Sequence, residues 1–191
     1  MSLEKINVRA WVIVLMIICA SALRLAHLGT YSSWMNFSPI GAMAMFGGAY
    51  YKDKFTAFFV TFLSLFVGDI FLNYTYFNKI VLFYDGAGYV YLAFFLMVLI
   101  GSYIKKVNVQ NVVLASLASV LVHWLITDIQ PCLTGMYPAT FSGYIQSLTM
   151  AIPFEKNLLF GNFVFGAIMF GGFELAKSKY TVLSKNELVY R

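Results

Sequence analysis

Four ionisable side chains stand inside stretches that are otherwise apolar: Arg24, Asp69, His123 and Asp128. A charge taken into hydrocarbon is costly, so such groups face a bundle interior or a water-filled cavity, and they pair with one another or with a ligand. Arg24 and Asp69 can orient a polar group by ion pairing. His123 can donate, accept or carry a proton near neutral pH. Asn73 follows Asp69 by four residues, so the two share one helix face, and Thr127 stands in the same relation to His123. Trp124 offers a flat surface for stacking. The candidate ligand-binding set is therefore Arg24, Asp69, Asn73, His123, Trp124 and Asp128.

Each residue also has a plainer role open to it. Arg24 can snorkel to head groups, and Asp69 can be its structural partner. His123 can be a hydrogen-bonded packing residue, and Asp128 can be merely solvated. Catalytic motifs are missing from the sequence: there is no GxSxG, HExxH, Walker loop or GxGxxG. His123, Asp128 and Cys132 do not have a standard metal-ligand spacing. The two cysteines, Cys19 and Cys132, form no CxxC and no disulfide framework. The sequence implies no enzyme, no cofactor and no metal.

The elements that must position these residues are read from composition. Of 191 residues, 61% are apolar, 18% aromatic and 11% charged, and the mean hydropathy is +0.78. A soluble domain carries about a quarter charged residues. The deficit excludes a soluble enzyme, a disordered tail and a nucleic-acid binder, and points to an integral membrane protein. A spanning helix needs roughly 20 apolar residues. The expected architecture is all-α, a single bundle of six transmembrane helices over residues 1–176 with a polar cytoplasmic tail at 177–191. The spans fall near 10–28, 39–50, 55–77, 87–104, 109–129 and 157–176. The first resembles a signal peptide at Ala20-Ser21-Ala22, but it is read as a retained span. The connection at 130–153 is expected to hold a surface helix near 144–152.

Charge bias sets the orientation. With both termini inside, ten of the 13 basic residues fall on the cytoplasmic side. Only Arg24, Lys79 and Lys156 fall outside. The candidate residues then lie in the outer half of three different spans. That common depth predicts a cavity open to the outer face. Eight of the 13 tyrosines also fall on that side, which suits an interfacial belt or a stacking surface. Small-xxx-small pairs, Ala44 with Gly48, Ala115 with Ser119, Ala167 with Gly171 and Gly172 with Ala176, allow close helix approach. In the second span they could also serve a partner subunit.

The segments from Asn36 to Tyr50, Gly68-Asp69, Ala151-Ile152-Pro153-Phe154 and Gly161-Asn162 resemble an uncharacterised bacterial family of small six-span membrane proteins. That family is in turn similar to the substrate-binding S components of energy-coupling-factor vitamin transporters. The resemblance implies uptake of a vitamin-like micronutrient across the inner membrane, with a transmembrane coupling subunit and two ATPases as partners. S components carry an alanine-xxx-alanine contact surface on the first span. The nearest match here, Ala22 with Ala26, lies at the outer end beside Arg24. A solitary relative is the other implication, including a cobalamin-type protein in which Cys132 meets the metal. A structural or assembly subunit that binds another membrane protein through small-residue faces is the alternative function.

Overall fold

The apolar stretches fold as helices because a helix satisfies each backbone N–H and C=O within its own segment. The computed structural model describes residues 8–25, 36–51 and 53–184, and among them every regular element is helical. Lys5, His27, Tyr31, Trp34, Lys52, Lys185 and Arg191 lie outside the described residues, as do the side chains of Arg24 and Tyr76. The elements are α1 Val8–Leu25, α2 Ile40–Tyr50, α3 Lys54–Phe77, α4 Ala87–Ser102, α5 Val109–Thr127 and the short α6 Gln130–Leu133. Then comes α7 Phe141–Gly166, which continues through a wide π turn, Ala167–Gly171, into α8 Gly172–Lys179. A last turn, α9, covers Thr181–Ser184.

Local chemistry marks the helix starts. The side chains of Asp53, Asn108 and Thr140 accept from the backbone N–H groups of Thr56, Asn111 and Gly143 at 2.7, 2.7 and 3.2 Å. The Thr56 hydroxyl and amide hold the Asp53 carboxyl below the usual carboxylate range. Asn78 ends α3 in the left-handed region at φ 50°, and Gly86 opens α4 at φ 92°.

Three helical stretches are long and apolar enough to cross a membrane: Lys54–Thr75, Val109–Leu133 and Phe141–Lys179. Val8–Leu23, Ile40–Tyr50 and Ala87–Ser102 are apolar but shorter. The outer face of α3 exposes Phe55, Phe59, Leu63, Val67 and Phe71, a continuous stripe at every fourth residue. An apolar surface of that extent is compatible with a membrane protein and unsuited to water.

The chain corrects one expectation outright. The region 141–179 is not a surface helix followed by a separate span. It is one rod of 39 residues, about 58 Å long at 1.5 Å per residue. Pro153 sits within it, and its ring is exposed. An interior proline costs about 3 kcal/mol, which the packing of this rod on α5 and α2 offsets. The boundary expected after residue 176 falls inside α8, which runs to Lys179.

The centre of the bundle is α2. Ten of its 11 residues are buried, and α1, α3, α4, α5 and α7 all touch it. Its small residues are spent inside this chain. A Cβ on Gly48 would stand 2.0 Å from the Val98 carbonyl oxygen, and one on Gly101 would stand 2.2 Å from the Met45 carbonyl oxygen. The two backbones of α2 and α4 therefore touch at two reciprocal points. Phe46, Phe170, Phe173 and Tyr50 pack beside that contact with ring centroids 4.5–5.7 Å apart, which pins the end of α2 to α8.

Because the atom opposed to Gly48 is backbone, no rotamer change relieves a clash there. Gly48→Ala is expected to destabilise by about 1–3 kcal/mol, the usual range for overpacking. Gly88→Ala, where an added Cβ meets nothing within 4 Å, serves as control. Thermal unfolding in detergent decides it: equal transition temperatures for the two variants would refute the α2–α4 contact.

Candidate functional site

The first turn of α2 and its approach, the loop before α4, the start of α4, the last turn of α5 and the middle of α7 surround a cavity of about 320 Å³. That is the lower end of the size range of small-ligand pockets. Its apolar wall comes from Ile40, Val90, Phe94, Phe154 and Leu158, and its polar groups from Asn36, Ser38, Tyr84, His123, Thr127, Asp128 and Glu155. Helix geometry explains the convergence. Ala151, Glu155 and Leu158 are spaced 4 and 3 apart, so α7 presents them on one face. His123 and Thr127 do the same on α5.

The polar floor is an acid–imidazole pair. His123 Nδ1 and Glu155 Oε1 lie 3.0 Å apart, with both side chains largely buried. With Nδ1 engaged by Glu155, Nε2 remains for another partner. The second Glu155 oxygen, Oε2, is buried and has no hydrogen-bond partner among the described residues. A buried acceptor left unpaired costs about 1–3 kcal/mol, more when charged. Asp128 is buried on the same wall and accepts from the Ser147 hydroxyl at 2.9 Å. The Thr127 hydroxyl turns back to the His123 carbonyl at 2.9 Å. Two carboxylates and an imidazole beside an apolar wall suit a small molecule with a cationic or N–H donor group.

The structure divides the sequence-derived set. His123 and Asp128 come together on the cavity wall. Asp69, Asn73 and Trp124 do not line it, because each is bonded elsewhere. Asp69 is 1% exposed, and its Oδ2 accepts from the Tyr91 hydroxyl at 3.0 Å, which ties α3 to α4. Asn73 Nδ2 donates to the Val81 carbonyl at 2.8 Å and holds the loop after α3. Trp124 Nε1 donates to the Leu148 carbonyl at 3.0 Å and joins α5 to α7. The Arg24 side chain lies outside the described residues. Of the outer-side tyrosines, Tyr84 lines the cavity, while Tyr144 donates to the Leu125 carbonyl at 2.7 Å.

Glu155 is the residue that sequence reading missed. It followed Pro153 in what looked like a loop. Its helical spacing with Ala151 and Leu158 was the signal available.

The fold and cavity define an all-helical protein with membrane-length apolar helices and an acid-lined pocket at one end of the bundle. The chain belongs to a family of unknown function, DUF6580, which matches residues 4–183. No curated protein and no solved structure matches it.

The assignment of Asp69 as an anchor between α3 and α4 has a direct check. Tyr91→Phe removes one charge-assisted hydrogen bond and is expected to cost about 1.5–3 kcal/mol. In an Asp69→Asn background the same change should cost clearly less, measured as a double-mutant cycle on thermal stability. Strict additivity would show that the two side chains do not couple.

Proposed function

We propose that the protein is a six-span uptake component of the bacterial inner membrane that takes a vitamin-like small molecule into the cavity from the outer face. The observation that carries this reading is the buried Glu155 oxygen, unpaired among the described residues, beside His123 on a cavity wall. The favoured ligand has a cationic or N–H donor group that meets Glu155 and Asp128, and an apolar body that packs on Phe94, Phe154 and Leu158. Tyr84, also on the cavity wall, offers the ligand a stacking surface. The three shorter apolar helices complete the count of six spans, each packed beside longer neighbours that lessen its exposure to lipid. The ten-to-three charge bias sets the cavity outside. The likeness to S components supports the same direction of binding, and brings a membrane coupling subunit with ATPases as the partner for transport.

A structural or assembly subunit is the second reading. It no longer draws on α2, whose small residues are buried within the chain. It rests on Ala167 and Gly171, which are exposed one turn apart on the lipid-facing side of the π turn.

Native mass spectrometry of gently purified protein separates the two. Uptake predicts a small-molecule adduct on the wild type. Glu155→Gln keeps a partner for His123 but loses the charge, so adduct occupancy should fall about tenfold or more. Asp128→Asn should act in the same direction, while Tyr91→Phe should keep the adduct. A stoichiometric protein partner with no small molecule, or an adduct indifferent to Glu155, would overturn the uptake reading.

A further inference from the structure

The opposite end of the bundle holds a second cavity, of about 450 Å³. Arg9 from α1, Lys105 and Lys106 from the α4–α5 turn, and Lys177 from α8 surround it, with Tyr50 at the end of α2 and, among the described residues, a single carboxylate, Glu174. That carboxylate is already engaged. Its Oε1 accepts from the Tyr50 hydroxyl and from Lys177 Nζ, both at 2.7 Å. Lys177 also lies 5.9 Å from the Tyr50 ring centroid, over its face. Lys105 and Lys106 are exposed and make no ion pair among the described residues. Their turn is fixed rather than loose: Asn111 Nδ2 donates to the Lys106 carbonyl at 2.8 Å, and Asn108 caps α5.

Cations from three elements surround one concavity, and the carboxylate that lines it among the described residues, Glu174, is engaged locally, which leaves a positive potential with room for an anion. Guanidinium and ammonium groups together match phosphate oxygens, the first as a fork and the second as a point charge. The cavity also lies where charge bias puts the cytoplasmic head-group layer, and basic pockets between membrane helices at that level hold phosphate head groups.

We propose that this basic cleft binds a phosphate-bearing anion, with Arg9, Lys105 and Lys106 as its ligands and the Glu174–Tyr50–Lys177 cluster as its fixed wall. The site is independent of the acid-lined cavity and stands or falls without it.

The test uses the full chain in nanodiscs. In one arm the lipid is phosphatidylcholine mixed equally with phosphatidylglycerol, and lipid retained by the protein is measured after detergent extraction. In the other, inorganic phosphate is titrated in phosphatidylcholine discs and thermal stability is read. At the usual worth of a basic residue near a membrane surface, Lys105→Gln with Lys106→Gln should weaken retention roughly thirtyfold. Both residues are exposed, so the pair should leave the fold intact, and Arg9→Gln provides an independent variant. Lys79→Gln with Lys156→Gln, at the other end, should behave as wild type. A response to phosphatidylglycerol alone identifies a lipid head group, and a response to phosphate alone identifies a soluble anion; either supports the site. No response in either arm, or equal losses in the two double variants, would overturn it.

Discussion

The bundle depends on the contact of α2 with α4, where Gly48 and Gly101 let two backbones meet. That contact allows an 11-residue helix to sit at the centre of much longer neighbours. At 1.5 Å per residue α2 rises about 16 Å, while α3 rises about 36 Å. A short helix inside a cage of long ones leaves space at both of its ends. The two cavities occupy those spaces. One is bordered by Ser38 and Ile40 where α2 begins, the other by Ala49 and Tyr50 where it finishes. Cavity formation is thus a geometric consequence of a close-packed centre, rather than a defect in packing.

The two ends then differ in charge. Where α2 begins, the walls supply Asp128, Glu155 and a histidine. Where it finishes, they supply four cations and one carboxylate. Between the ends, most buried polar side chains are absorbed by the protein. Thr61 and Ser116 bond back to carbonyls one turn earlier, and Asp69 and Asn73 tie α3 to α4 and to the following loop. Asn162 departs from this pattern. It is fully buried against Gly41, with neither side-chain atom paired among the described residues. The Ser119 hydroxyl is likewise buried and unpaired among the described residues.

Much of this was legible in the sequence. Composition and apolar run length identified an all-helical chain with membrane-length segments. Glycine density in the second span foretold close packing, although its partner proved to be α4 of the same chain. Depth along the spans brought His123 and Asp128 to one wall. It did not bring Asp69, Asn73 and Trp124 to that wall, because depth fixes how far along a helix a residue lies and leaves its azimuth free. Which neighbour each meets is decided by the rotation of the helix, and Tyr91, Val81 and Leu148 carry no signal that marks them as partners. Glu155 was missed for a different reason. Pro153 reads as a break, and here tertiary packing overrides that local preference.

That override explains how one rod reaches both cavities. The buried residues of the 141–179 helix are Gly143, Ser147, Glu155, Leu158, Gly161, Asn162, Gly166, Met169, Phe170 and Phe173. A π turn accommodates one additional residue, and the turn at Ala167–Gly171 lies within this stretch. Glu155 and Phe173 are both buried in the bundle, so a single element places Glu155 at the first cavity and, just after Phe173, Glu174 at the second.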